Sequence, residues 1–340
     1  MTQLVYSEAE LMRSHDYARP HVVAGRRLHG GFDAAGTYIP PRLAVREPAI
    51  EAWTQALRAR GGDWLAADAS LLSGKRYPSE AQQKLLLREG LGQTFWNSLT
   101  IIGKIEARGR FLAETEFPDL QDVICEDISQ LAIGHLGKGL LKAHGLDEGG
   151  EPDKGIGGHD VMWFAARDLA FGETDYADPE VPERIGRPEG EAAETAELSI
   201  AHDRVIHFLL NLLMIEFRAE LGFASSQRMF RDPELFTGRR RQAEEAAEIV
   251  GRIRRDEEIH VSSLRLYMGE LKSLTFKKTD GTRIAGTEVI DAMWQTIVQW
   301  ATVEQPKLVA ERERQRLTAR ILAHEGGAEI LERFNALEAA

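Results

Sequence analysis

The run Glu257-Glu258-Ile259-His260 sets a carboxylate and an imidazole three residues apart. On a helix, that spacing projects both groups from neighbouring turns of one face. A helix over 239–274 has an apolar stripe of Ala246, Val250, Ile253, Val261, Leu264, Met268 and Leu271, with Glu257 at its centre and His260 near its edge. The same test at about 100° per residue finds polar groups on three further stripes. Glu106 lies on the stripe of a helix over 79–115. His135 lies within that of 120–144, with Asp127 at its edge, and His202, Glu216 and Glu220 lie within that of 192–222. A buried carboxylate is costly to ionise without a partner. A pair of divalent cations would neutralise several at once. Buried lysine or arginine would do the same, and Lys84 and Arg88 are the visible candidates. The metal-ligating candidates are therefore Glu106, His135, Glu216, Glu220, Glu257 and His260. For His135 the competing role is a hydrogen-bonded core histidine. For Glu220, close to Gly222, the competing role is a carboxylate that reaches water.

The elements that must hold these groups follow from periodicity and breakers. The four helices fall in two pairs with short links, one containing Pro118 and the other Pro233 and Gly238. A long crossover over 144–191, rich in Gly, Pro and Asp, joins the pairs and contains one expected helix, HDVMWFAARDLAF. His159-Asp160 opens that stretch, either as a helix cap or as a loop ligand pair. Two short-linked pairs with one long crossover form a known four-helix-bundle topology. The expected layout is an N-terminal extension over 1–78, the bundle over 79–274, and a hairpin with C-terminal helices over 275–340. In the extension, RRLHGGFDAAGTYIPPR reads as a short hairpin and 48–68 as a helix. Asp280-Gly281 marks a second hairpin. A helix follows over 288–302, with a break expected near Pro306.

Composition narrows the function. The chain has 340 residues, 42 Lys+Arg against 54 Asp+Glu, and a net charge of -12. That balance argues against a broad nucleic-acid surface, which needs clustered cations. The lone Cys125 cannot form an internal disulfide, and no cysteine-based zinc site is possible. No secretory signal or membrane span is visible, so a cytoplasmic setting is the expectation. No Gly-x-Ser-x-Gly occurs, and GIGG lacks the Gly-Lys-Ser/Thr ending of a phosphate loop.

With acids and histidines on four helix stripes, the chain resembles the ferritin-like superfamily of carboxylate-bridged di-iron or di-manganese proteins. Those bundles use one Glu from each of two helices and Glu-x-x-His from each of the other two. Glu106 matches the first single acid, Glu216 or Glu220 the second, and Glu257 with His260 the fourth-helix pair. The second helix departs from the pattern. Ala132 stands at the acid position paired with His135, and Ser129 at the histidine position paired with Glu126. The resemblance implies a mainly α fold, two iron ions or a manganese/iron pair, and homodimerisation by family habit. It also implies dioxygen-dependent oxidation of an apolar or aromatic small molecule. The alternative is a metal-free helical ligand-binding or scaffold protein, which the incomplete second helix favours.

Overall fold

Short-range sequence signals set most of the elements. In the computed structural model, which describes residues 2–74, 77–188 and 197–339, the protein is mainly helical. Eleven α-helices are described: α1 Glu8–Leu11, α2 Leu43–Ala59, α3 Glu80–Arg88, α4 Gln93–Gly109, α5 Leu140–Gly149, α6 His159–Phe171, α7 Ile200–Arg231, α8 Arg240–Lys272, α9 Gly286–Gln299, α10 Gln305–Leu322 and α11 Gly327–Ala339. Strands β1 Arg19–Val23, β2 Arg26–Phe32 and β3 Tyr38–Ile39 form an antiparallel sheet, and β4 Thr275–Lys277 pairs with β5 Arg283–Ala285. Both expected hairpins are present, the first enlarged by β1. None of the described helices is long and apolar enough to cross a membrane.

Helix α8 matches the expected 239–274, whereas α7 runs to Arg231, past the expected end at 222; residues 192–196 of its expected range lie outside the described residues. The first expected helix is divided. Gly90, at φ +80°, ends α3, and α4 starts afresh three residues later. Only Gly adopts such a φ without steric cost.

The second expected helix, over 120–144, does not form as such. Its length is taken up by two 3-10 segments, Leu120–Asp122 and Ala132–Lys138, and by the start of α5. Gly134, Gly137 and Gly139 weaken helix there, and Gly139 has φ +116°. The backbone of 124 instead bridges to Phe276 in the β4 strand. Pro306 does not break the C-terminal helix either. A π-helical turn over 300–304 widens the helix just before it, which accommodates the missing proline donor.

In the interior, α7 packs along α8, and α6 lies between α4 and α8. One apolar cluster joins Leu99, Met162, Trp163, Phe223, Val250 and Ile253, while a larger one gathers α2, α5, α7, the C-terminal half of α8, and α9.

Glu270 on α8 is fully buried and anchors the 3-10 segment. Its Oε1 accepts the Ala132 N–H at 3.1 Å and its Oε2 the Ile133 N–H at 3.0 Å. These are donors that a helix start leaves without partners. Burial pushes the Glu270 carboxyl up to about 7, against the pull of those two N–H groups. The folded state then holds the proton more tightly than the unfolded chain. This group therefore costs nothing below about pH 4.5, lowers stability as pH rises to about 7, and adds nothing further above that. The shift corresponds to about 3 kcal/mol. Denaturant melts of the wild type and Glu270→Gln between pH 4.5 and 7.5 are expected to show this loss in the wild type alone. Parallel pH profiles would contradict it.

Candidate metal centre

The site is built from the ends and middles of five helices. Glu106 comes from α4, His144 and Glu148 from α5, His159 from the first position of α6, Glu216 from α7, and Glu257 with His260 from α8. All seven side chains are buried. They form two adjoining groups whose potential ligand atoms lie within 4.8 Å of one another. His144, Glu148, Glu216 and His260 make one group; Glu106, Glu148, His159 and Glu257 make the other.

Two carboxylates span both groups. Glu257 sets Oε1 3.1 Å from His159 Nδ1 and Oε2 2.8 Å from His260 Nδ1. Glu148 sets Oε1 3.1 Å from His260 Nδ1 and Oε2 3.6 Å from His159 Nδ1. Glu216 Oε1 lies 3.1 Å from His144 Nε2, and Glu106 Oε2 lies 3.6 Å from His159 Nδ1. The His144 and His260 rings stack at 3.8 Å.

The far nitrogens of two histidines are tied down. His260 Nε2 faces Asp147 Oδ2 at 3.2 Å, and His159 Nε2 faces Asp256 Oδ2 at 3.3 Å. Asp147 is itself held by buried arginines: Arg42 Nε donates to Oδ1 at 3.0 Å and Arg46 to Oδ2 at 2.6 Å. A carboxylate behind a histidine fixes the tautomer that leaves the other nitrogen as a metal ligand. Both Nδ1 atoms point into the cluster, toward Glu257.

Burial is the largest influence on each of these groups, and it disfavours charge. Glu106 follows it and sits well above the ordinary carboxyl range, helped by the charge of Glu148. Burial and the charge of Glu257 push Glu216 up to about 7. For Glu257, burial and Glu148 are outweighed by His260 and His159, which bring it down to about 2. Against burial, His159, His144 and His260 hold Glu148 well below its usual range. Against burial again, Glu257 keeps His159 and His260 well above the ordinary imidazole value. Protons on the histidines therefore balance the carboxylates when no cation does, and metal uptake must release them.

The donor set fits divalent metal. His144 Nε2, His159 Nδ1 and Glu148 Oε1 are buried and have no hydrogen-bond partner, despite close neighbours. Orphaned polar atoms of this kind are costly in a core, and these three all face the cluster. Mixed imidazole and carboxylate donors suit a divalent metal ion without singling one out.

Four of the residues expected from sequence meet here: Glu106, Glu216, Glu257 and His260. His135 and Glu220 are not brought into the cluster. His135 sits in the 3-10 segment beside Trp53, with both nitrogens occupied: Nε2 accepts the Tyr6 N–H at 3.1 Å and Nδ1 donates to the Leu131 carbonyl at 2.7 Å. Glu220 is exposed, one turn beyond Glu216. Asp127 is an exposed cap for the Ser129 N–H, and His202 contacts Ser199 and the Asp119 carbonyl. Lys84 and Arg88 do not compensate the interior; they pair with Asp232 and Glu234. Arg42 and Arg46 are the buried cations instead. Asp160 is not the cap of α6, a position that Gly158 occupies without a side-chain bond; it lies in the first turn and accepts the Val161 N–H at 2.6 Å and the Gly158 N–H at 3.2 Å, while His159 beside it enters the site.

Sequence reasoning missed His144, Glu148, Asp147 and Asp256. The available signal was His144-x-x-x-Glu148, one turn apart, followed by an interruption before His159. The excursion 149–158 closes at its neck. The Ile156 carbonyl accepts from the Glu151 N–H at 2.8 Å, and a Cβ on Gly158 would lie 2.4 Å from Gly150 N. This backbone-to-backbone contact brings Glu148 and His159 together as one helical turn would.

Two surface cavities, about 750 Å³ beside Trp96, Arg167 and Arg239 and about 410 Å³ beside Ile50, Trp64 and Ile259, include no member of the cluster. Comparison with family models, curated proteins and solved structures gives no match.

Gly158→Ala must push the neck apart, because the new methyl meets only backbone atoms. It is expected to lower stability by about 2 kcal/mol and to weaken metal binding. Asp147→Asn and Asp256→Asn are expected to weaken binding about 10–100-fold. Competition with a chelating dye measures all three, and unchanged affinities would remove the neck and the aspartates from the site.

Proposed function

We propose that this chain is a di-metal oxidoreductase of ferritin-like type, in which α5 and α6 together replace one continuous second helix. It uses two iron ions, or manganese with iron, and dioxygen to oxidise an apolar or aromatic small molecule. The observation that carries this reading is the double reach of Glu148 and Glu257, each turning its two oxygens toward different histidines. A carboxylate so placed would serve two cations if both groups were filled.

In this reading Glu106 and His159 hold one ion, His144, Glu216 and His260 hold the other, and Glu148 and Glu257 serve both. Metal bound there would supply the electrons that dioxygen activation requires. The residues of the chain do the rest. Asp147 and Asp256 orient His260 and His159. Burial and the charge of Glu257 raise the Glu216 carboxyl to about 7 when no cation is bound, so Glu216 would give up a proton on taking one up. The apolar cluster around Trp163, Phe223 and Ile253 begins one turn from His159 and Glu257 and excludes water from the adjoining interior. That lining is what favours an apolar substrate.

Elemental analysis of protein expressed with added iron and manganese tests the reading. About two ions per chain are expected, falling to one or none in Glu148→Ala and Glu257→Ala, with the helical spectrum retained. The ferrous-loaded protein should consume dioxygen faster than free ferrous ion in the same buffer. A folded wild type that takes up no metal would overturn the proposal and leave a metal-free helical scaffold.

A further inference from the structure

The helices that hold the cluster do not form a closed ring. Helix α4 lies along α6, α6 along α8, and α8 along α7, but α4 and α7 share no comparable packing. Each of these two carries a cluster glutamate, Glu106 on α4 and Glu216 on α7. Each glutamate follows a half-buried isoleucine, Ile105 or Ile215. The seam between the two helices is shut at its ends. At one end the Phe111 and Phe208 rings meet edge to face at 5.4 Å. At the other, Arg228 of α7 pairs at 2.8 Å with Glu80 of α3, the helix that leads into α4.

Between those ends the seam is spanned by residues 173–188, the part of the crossover that leaves α6. Its ties follow α4 and then pass to α7. The Tyr176 ring meets Trp96 at 5.7 Å, Asp178 pairs with Lys104 at 2.7 Å, and the Pro182 carbonyl accepts from Arg108 at 2.6 Å. The Ile185 carbonyl then accepts from Arg218 at 3.2 Å, and Asn211 Oδ1 accepts the Arg187 N–H at 2.8 Å. Lys104 and Arg108 flank Glu106, and Arg218 stands just beyond Glu216. Helix residues two apart do not share a face, so the glutamates turn inward while these cations turn out to the strap. The strap thus crosses from α4 to α7 at the level of the cluster. It is lightly held. Among the described residues, 173–186 make no backbone-to-backbone hydrogen bond. The Lys104–Asp178 pair is open to solvent, where an ion pair adds little. A segment held in this way opens at far lower cost than the helices beneath it.

We propose that the seam between α4 and α7 is the entry site for the apolar substrate, and that residues 173–188 lift to admit it. The inference rests on the di-metal reading above. A molecule entering there passes Ile105 and Ile215 and arrives at Glu106 and Glu216, one ligand of each ion. Replacing the strap behind it returns the centre to a water-poor interior.

The test ties the strap down. A Cβ on Gly186 would lie 3.5 Å from the Asn211 Cβ, within disulfide range, and Cys125 is the one native cysteine. Full-length Gly186→Cys/Asn211→Cys is loaded with ferrous iron without oxygen, and the disulfide is closed with oxidised glutathione and verified by thiol counting. Iron is then withdrawn with bipyridine, an apolar aromatic chelator whose iron complex is coloured. The wild-type rate is expected to rise with chelator concentration. Closing the disulfide is expected to slow withdrawal about tenfold or more, and a phosphine reductant to restore it. Lys104→Ala/Arg108→Ala loosens the strap from the surface and is expected to speed withdrawal, with iron content and helical spectrum unchanged. Amide hydrogen exchange of 173–188 is expected to run ahead of α4 and α7. A rate that ignores the chelator concentration, the closed disulfide or the loosened strap overturns this inference alone, as does a strap that exchanges no faster than the two helices. No iron bound overturns it together with the di-metal reading.

Discussion

Four glutamates buried against one another are the constraint that organises this protein. Glu106, Glu148, Glu216 and Glu257 repel each other in a medium that screens poorly. The partners facing them are histidines. The arginines that reach the interior, Arg42 and Arg46, are spent on Asp147, one layer behind. The interior is therefore arranged in layers around a group of residues that could hold a metal ion. Aspartates orient histidines, histidines face glutamates, and the glutamates face each other.

That arrangement explains the features around it that would otherwise be costly. Buried orphan atoms on His144, His159 and Glu148 are poor design for a core and sound design for a ligand set. The N-terminal sheet and α2, which sit outside the longest helices, each send polar side chains inward to the second layer: His29 and Tyr38 to Asp256, Arg42 and Arg46 to Asp147. They are part of the site's support, although they lie far from it in sequence.

Legibility from sequence followed the locality of each signal. Helices α7 and α8 were readable because long stripes at helical spacing suffice to define them. With them came Glu216, Glu257 and His260; Glu106 came with the same face of α4. The second helix was not readable. Its apolar residues Leu120, Ile124, Ile128 and Leu131 mimic helical spacing but are buried from 3-10 turns and loops, whose glycines and Glu270 cap override the period. His135 was drawn in by that false stripe. His144 and Glu148 carried a one-turn spacing of their own, but their relation to His159, read only as half of a cap or loop pair, passes through the closed excursion 149–158, which no one-dimensional spacing rule spans. Asp147 and Asp256 each stand beside a ligand in sequence, yet their role depends on partners more than a hundred residues away, as the His29–Asp256 separation of 227 shows.

That separation also has a consequence for biosynthesis. A ligand set drawn from α4 through α8, backed by residues near positions 29 and 42, has no local precursor. A chain emerging from its N-terminus exposes His29, Arg42 and Arg46 long before Asp256, Glu257 and His260 exist to receive them. Early segments must wait in an unpaired state, and long-range closure of this kind is slow. The centre can close only when α8 has been made. Before that the nascent chain offers only part of the ligand set, so full loading follows folding and cannot guide its early stages.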